Sequence, residues 1–390
     1  MTQFIVRKII LVLMIAVIYS CNLEKENKST ASKIQTLFTL LDAKETGIDF
    51  LNKVKNQKNF NIFKYRNFYN GGGVAIGDIN NDGLADIYLT GNMVANKLYL
   101  NKGNLTFEDI SISAGIEGNK PWSTGVVMVD INQDGLLDIY VSNAGNLKGN
   151  NHDNDLYINN GDLTFTEKAA EFNLAKTGFS THASFFDYDK DGDLDAYILN
   201  NSNIPVSSLG YAEQRDKRAQ DWANVPEIFR GVGDMLLRND NGKFVDVSEK
   251  AGIYGSLIGF GLGVMVTDMN GDLYPDIYVS NDFYERDYLY INNQDGTFKE
   301  DITNWTSHLS LSAMGVDIAD INNDGNADIF ITDMLPEADQ RVKSVMEFEG
   351  YNVFKLKQSK DFSQQYIQNT LQLNNGNSTF SEVAYFSGVA

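Results

Sequence analysis

The residues with most chemistry to offer in this chain are aspartates and asparagines, which recur in one nine-residue frame, D-x-D/N-x-D-x-x-x-D. The first copy holds Asp78, Asn80, Asp82 and Asp86, and the second Asp130, Asn132, Asp134 and Asp138. The third is all acid: Asp187, Asp189, Asp191 and Asp195. Asp268, Asn270, Asp272 and Asp276 make the fourth, and Asp320, Asn322, Asp324 and Asp328 the fifth. Hard dications take six to eight oxygens, and side chains at positions 1, 3, 5 and 9 with a backbone carbonyl at position 7 supply them. Calcium, at up to five sites, is therefore the expected cofactor. Magnesium fits less well, because it dehydrates reluctantly and wants a tighter octahedron. An EF-hand is excluded: position 12 is Leu89, Val141, Ile198, Val279 or Ile331, never the bidentate glutamate that loop needs.

Position 6 is Gly83, Gly135, Gly192 or Gly325, where a sharp turn makes positive φ cheap only for glycine. The fourth copy has Leu273 there and Gly271 at position 4, so that loop is expected to be the most distorted. Without cations the sixteen carboxylates of these frames would repel one another. Five calcium ions would bring the formal charge from −20 to −10. An acidic excess of 52 over 32 basic residues also excludes a phosphate-backbone partner, so no nucleic-acid binding is expected.

The frames sit inside a larger repeat. Their starts are 52, 57, 81 and 52 residues apart. Each is preceded by a small and apolar stretch such as GGGVAIG or STGVVMV and followed by a β-type run such as IYLT or IYVS. Farther on come two short strands around an Asn/Gly/Asp turn, as in LYLNKGNLTFEDI and LYINNQDGTFKED, which is a hairpin signal. A unit is thus strand, metal loop, strand, connector and hairpin. Four-stranded units at roughly 50-residue spacing mark the blades of a propeller, which hides its sheet edges by radial packing. The fold class is all-β: a β-propeller with blades at about 70–117, 118–176, 177–254, 255–306 and 307–390. Because the chain stops after a hairpin, at a point followed by another frame in earlier units, the ring is expected to be incomplete and the natural protein to continue beyond 390. A closed five-bladed ring is the second choice. Two units carry insertions between their second and third strands, at 200–233 and 333–369. Antiparallel neighbours put the metal loops on one face and both insertions on the other.

The D-x-D/N-x-D-G-x-x-D loops are the most specific element of a resemblance. The blades resemble the FG-GAP/VCBS-type repeat of integrin α-subunit propellers and of bacterial ASPIC/UnbV-type envelope proteins, over roughly residues 70 to 390. Phe260-Gly261 matches the name-giving Phe-Gly, and no Gly-Ala-Pro follows it. The resemblance implies a propeller, usually of seven blades, with calcium in the first-to-second strand loops and partners on the opposite face. At the other end of the chain, Arg7 and Lys8 precede an apolar run over 9–18, too short to span a bilayer, and then Ile18-Tyr19-Ser20-Cys21. This resembles a bacterial lipoprotein signal whose cleavage exposes Cys21 for acylation, although Tyr19 departs from the usual small residue. The expected protein is exported and anchored by lipid in the bacterial envelope, with a tether and lead-in over 22–69. As the single cysteine, Cys21 leaves no intrachain disulfide, so stability must come from packing or metal.

The remaining candidates concern the partner. Trp122, Trp222 and Trp305 are assigned by strand direction to the face away from the metal loops, where exposed rings could stack on sugars or anchor a protein. For Trp122 and Trp305 packing between blades is an equal alternative. Tyr211, Arg215 and Arg218 surround Trp222 in a basic segment of an acidic chain. His152, His182 and His308 sit in no nucleophile or zinc pattern. The sequence therefore reads as a calcium-binding propeller that binds a glycan or protein partner and has no enzymatic role. The alternatives are a carbohydrate-active lyase or hydrolase on the same scaffold, and a structural module of a longer envelope protein.

Overall fold

Each repeat folds into one sheet. The structure is a computed structural model that describes residues 37–144, 152–201, 218, 233–255, 258–336, 338–345, 350–360 and 362–390. The first sheet joins β1 (Val74–Gly77), β2 (Asp86–Leu89), β3 (Lys97–Asn101) and β4 (Phe107–Asp109). The second joins β5 (Ser123–Val129), β6 (Asp138–Asn143), β7 (Asp155–Asn159) and β8 (Phe165–Glu167). The third holds β9 (Ser180–Phe186), β10 (Asp195–Asn200), β11 (Met235–Asn239) and β12 (Phe244–Asp246). The fourth holds β13 (Gly261–Thr267), β14 (Asp276–Asn281), β15 (Tyr288–Asn292) and β16 (Phe298–Glu300). The parallel pair β17 (Leu309–Ser310) and β20 (Gln365–Tyr366) flanks the fifth, which contains β18 (Gly315–Ala319), β19 (Asp328–Thr332), β21 (Thr370–Asn374) and β22 (Phe380–Glu382).

All five four-stranded sheets are antiparallel meanders, and their first strands pack on one another in chain order, β1 on β5, β5 on β9, β9 on β13 and β13 on β18. These innermost strands surround an axis, and no comparable β18–β1 packing closes it. The architecture is an all-β propeller with an incomplete ring. Residues 46–390 form this unit, while 37–45 belong to a separate one in which Leu37, Phe38 and Leu40 are exposed.

The burial pattern explains the strand sequences. The second strands are covered on both faces, so DIYVSN is buried at every position in both β6 and β14. The third strands are nearly as buried, whereas the short outermost strands show charged residues to solvent. Between successive sheets lie four apolar clusters; the first brings Tyr88 and Leu98 against Val126 and Ile139. Each fully buried Leu or Ile of this kind contributes roughly 1.5–3 kcal/mol relative to exposure. At the axis the strands come so close that only glycine fits. A Cβ on Gly73 would lie 2.6 Å from the Thr124 carbonyl oxygen, and one on Gly125 2.4 Å from that of Thr181. The glycines in GGGVAIG and STGVVMV are thereby explained.

Candidate metal loops and the face opposite them

Every frame occupies the turn between a first and a second strand, so all five loops project from the finishing ends of the innermost strands. Position 9 begins the second strand and is buried in each copy. Its carboxylate is a staple. The Oδ2 atoms of Asp86, Asp138, Asp195, Asp276 and Asp328 accept the backbone N–H of position 2, at 2.8–3.2 Å. Their Oδ1 atoms accept the N–H of Asn101, Asn159, Asn239, Asn292 and Asn374, the last residues of the third strands, at 2.7–2.8 Å. Burial nevertheless pushes the carboxyl of Asp138 up to about 6, and those of Asp195 and Asp276 up to about 7. Each oxygen keeps a second lone pair, so the staple and a cation can share it.

Position 1 closes the turn. Asp78 Oδ2 accepts the Gly83 N–H at 2.7 Å, and Asp130, Asp187 and Asp320 repeat this with Gly135, Gly192 and Gly325. The fourth loop does not depart from the pattern, contrary to the expectation that it is the most distorted. Asp268 Oδ2 accepts the Leu273 N–H at 2.7 Å, because Leu273 adopts φ +72° in place of glycine. The loop geometry is kept and the strain moves into one leucine.

The third loop differs in a deeper way. In the other four, the position-3 amide donates to the position-5 carboxylate, as Asn80 Nδ2 does to Asp82 Oδ2 at 3.0 Å, and so do Asn132, Asn270 and Asn322. Asp189 cannot donate. Oxygens of Asp187, Asp189 and Asp195 converge within 4.8 Å of one another, the one such acidic trio among the described residues. Asp189 Oδ1 and Asp193 Oδ1 are buried with no hydrogen-bond partner. Burial and then Asp191 push the Asp193 carboxyl up to about 6, and burial followed by repulsion from Asp191 and Asp187 also raises Asp189. Hard oxygens that crowd together with orphaned lone pairs fit a divalent cation. Asp193 stands at position 7, where the frame calls on a backbone carbonyl and so gives the side chain no signal.

The loops are also tied to one another. Asn81 Nδ2 donates to the Gly135 carbonyl at 3.0 Å, Gln133 Nε2 to that of Gly192 at 2.8 Å, and Lys190 Nζ stands 4.1 Å from the Tyr274 ring centre. The third-strand asparagines add further links. Asn159, Asn292 and Asn374 donate to the Ile79, Tyr188 and Met269 carbonyls of the preceding sheet. That second role was legible as the recurrent Asn of LYLN, LYIN, LLRN and LQLN.

At the opposite end, the residue ahead of each third strand anchors the turn. Asn96, Asn154 and Asn369 accept a backbone N–H from the end of the second strand, and Asp234 and Asp287 do the same in the third and fourth sheets. Tyr197 and Tyr278 donate to these two carboxylates. Burial pushes Asp234 up to about 6 and Asp287 up to about 7.

Three proposed partner residues are corrected. Trp122 is 1% exposed and packs among Phe60, Tyr65 and Phe68 of the lead-in segment. Trp305 is buried against Phe380. Arg218 is buried too, with its guanidinium donating to the Asp234 and Ile253 carbonyls at 3.0 and 2.9 Å. All three serve packing, since backbone carbonyls and apolar surface were available to them. Trp222, Tyr211, Arg215 and Cys21 lie outside the described residues. The histidines do not meet: His152 packs on Phe179, His308 approaches Glu382 at 3.6 Å, and His182 lies on β9 at the axis.

The FG-GAP-like repeat matches residues 78–141, 144–198 and 268–331, which together contain all five loops. Cartilage acidic protein 1 of Mus musculus is 29% identical over 216 residues, 54% of this chain and 29% of that protein. Its Xenopus tropicalis counterpart is 34% identical over 137 residues, 34% of this chain and 20% of its own. The matches thus span less than a third of these relatives. Among solved structures, an Agrocybe aegerita lectin recognising non-reducing terminal N-acetylglucosamine overlaps 78% of this chain and 64% of its own, at TM-score 0.41 and 17% identity. AofleA from Arthrobotrys oligospora overlaps 79% and 70%, at TM-score 0.39 and 10% identity. Neither likeness bears on what this chain binds.

Proposed function

Taking the chain as the FG-GAP-repeat β-propeller protein that its sheets and matched regions show it to be, we propose that it is a calcium-stabilised binding module. It is exported, anchored through Cys21 in a bacterial envelope, and engages a glycan or protein partner on the face opposite its metal loops. The observation that carries the reading is the third loop, where Asp187, Asp189 and Asp195 converge and Asp189 keeps a buried oxygen without a partner. A cation there would supply charge neutralisation and rigid coordination. Stiffening one face of the ring leaves the other for a partner.

That other face carries the second insertion, whose helices Asp339–Val345 and Tyr351–Ser359 show Tyr351 and Leu356 to solvent, beside exposed Met334 and Leu335. Exposed apolar side chains of this size are a common feature of contact surfaces. Among the described residues no helix is long and apolar enough to cross a membrane. Binding is preferred over catalysis because the three histidines stand in separate settings and the one close acidic trio among the described residues belongs to a loop. The test is retention on a glycan array with calcium and with EDTA. Retention that calcium sustains and EDTA abolishes is expected; no retention in either buffer contradicts the glycan reading. Replacing 338–360 by a short Gly-Ser linker is expected to weaken partner binding and leave the calcium response intact.

A further inference from the structure

One cavity takes part of its wall from every sheet. About 290 Å³ in volume, it is lined by Gly73 ahead of β1, Gly125 on β5, His182 on β9, Leu262 on β13 and Met314 ahead of β18. These are the starting ends of the innermost strands, and the metal loops follow the finishing ends. The cavity therefore opens the axis on the face away from the loops.

Its remaining wall comes from the lead-in segment. Asn67, in the 3-10 turn Arg66–Tyr69, lines the cavity and is 4% exposed. Neither its Nδ2 nor its Oδ1 completes a hydrogen bond. The Tyr65 hydroxyl lies beside the amide, also buried and without a well-formed bond; burial pushes its pKa up and the amide opposes this. Buried amides are almost always paired, and this one has only the poorly aligned Tyr65 hydroxyl beside it, so most of its hydrogen-bonding capacity at the cavity wall is unspent.

The chemistry of the wall selects the ligand class. No Asp, Glu, Lys or Arg lines it, in a chain of net charge −20. Burial lowers the pKa of His182, which keeps that ring neutral. Half-buried Leu262 and Met314 add apolar surface. One amide donor beside one amide acceptor matches two adjacent hydroxyls, and flanking aromatic and aliphatic groups suit the C–H face of a ring. We propose that the axial cavity binds a neutral hydroxylated ring, the terminal sugar of an uncharged glycan, with Asn67 as its hydrogen-bonding anchor. The proposal rests on the glycan arm of the function proposed above.

The test titrates the calcium-loaded protein with neutral methyl hexosides and N-acetylhexosaminides and with a uronic acid, by calorimetry, alongside Asn67→Leu and His182→Gln. The native chain is expected to favour a neutral sugar over the uronic acid by more than tenfold. Asn67→Leu is expected to lose more than tenfold in affinity yet melt at or above the native temperature, since its amide makes no well-formed bond within the protein. His182→Gln is expected to weaken binding less. A marked fall in melting temperature, or failure to fold, would show Asn67 to be structural and overturn the proposal. Unchanged affinity in both variants, with glycan retention by the native chain, removes the cavity and leaves the broader glycan reading standing. No sugar or glycan bound by the native chain removes both.

Discussion

The third metal loop and its four counterparts share a backbone, a glycine at the turn or a leucine imitating one, and the same position-9 staple. They differ first at position 3, where Asp189 replaces asparagine. Asn80, Asn132, Asn270 and Asn322 each donate to the carboxylate two residues on, so those loops satisfy themselves with the protein's own atoms. The third loop has no such donor, and Asp193 adds a further acid. Backbone N–H groups still hold Asp187 and Asp195, but Asp189 Oδ1 and Asp193 Oδ1 stay without partners among like charges until a cation arrives. The same exchange recurs at the other end of the blades, where Asn154 gives way to Asp234 and Asp287. One repeated scaffold thus tolerates a neutral amide or a charge at equivalent points, and the charge makes that point conditional on cations or protons.

The largest effect should come from what the loops have in common. Asp138→Ala strips acceptors from two backbone N–H groups, Ile131 and Asn159. Buried donors left unpaired cost about 1–3 kcal/mol each, so a loss of about 2–6 kcal/mol is expected in urea unfolding, with calcium or with EDTA. Asp134→Ala, at an exposed position where water can replace its bonds to Asn132 and Leu136, should cost more in calcium than in EDTA. If the two variants respond alike to EDTA, the division between staple and ligand is wrong.

A second variant erases the difference between loops. Asp189→Asn supplies the missing donor to Asp191 and removes one repelling charge. In EDTA it should stabilise the protein by about 1 kcal/mol, the net worth of one hydrogen bond, and shrink the stabilisation by calcium. A calcium response equal to that of the native chain would place no special weight on the third loop.

At the other end the exchange reads out in protons. Burial holds the Asp287 carboxyl up to about 7, with Tyr278 donating to it and Asp333 opposing its charge. A folded pKa above the unfolded value of about 3.9 means its contribution is complete below about pH 4 and is lost as pH rises through about 7. Asp287→Asn should therefore flatten the decline in stability between about pH 4 and 7, followed by urea unfolding across that range. An unaltered slope would assign the decline to other groups. The smallest effect is expected at the strained turn: Leu273→Gly relieves a left-handed leucine and should add about 1 kcal/mol, less the chain entropy glycine brings.

Much of this was legible in the sequence because the repeat states its own geometry. Frame, strand and hairpin recur in phase, and the frames fall at the strand junctions where alternating directions require them. The staple function of position 9 was not legible, since its partners are backbone N–H groups that any sequence carries. Packing of Trp122 was one of its two readings, but the cover that decides it, Phe60, Tyr65 and Phe68 from the lead-in, was not legible. The Asn-to-Asp exchange ahead of the third strand was visible, yet without the tyrosines and backbone around it the letters alone gave it no role.

The central claim is that the loops hold calcium and that the ring depends on it. Thermal unfolding in calcium, in magnesium and in EDTA tests this most directly. A ligand at a hundredfold excess over its Kd stabilises by about 2.7 kcal/mol per site, so several sites should raise the midpoint by many degrees in calcium and by less in magnesium. An unchanged midpoint across the three buffers would mean that the carboxylates are ordinary solvated turns, and would contradict the account.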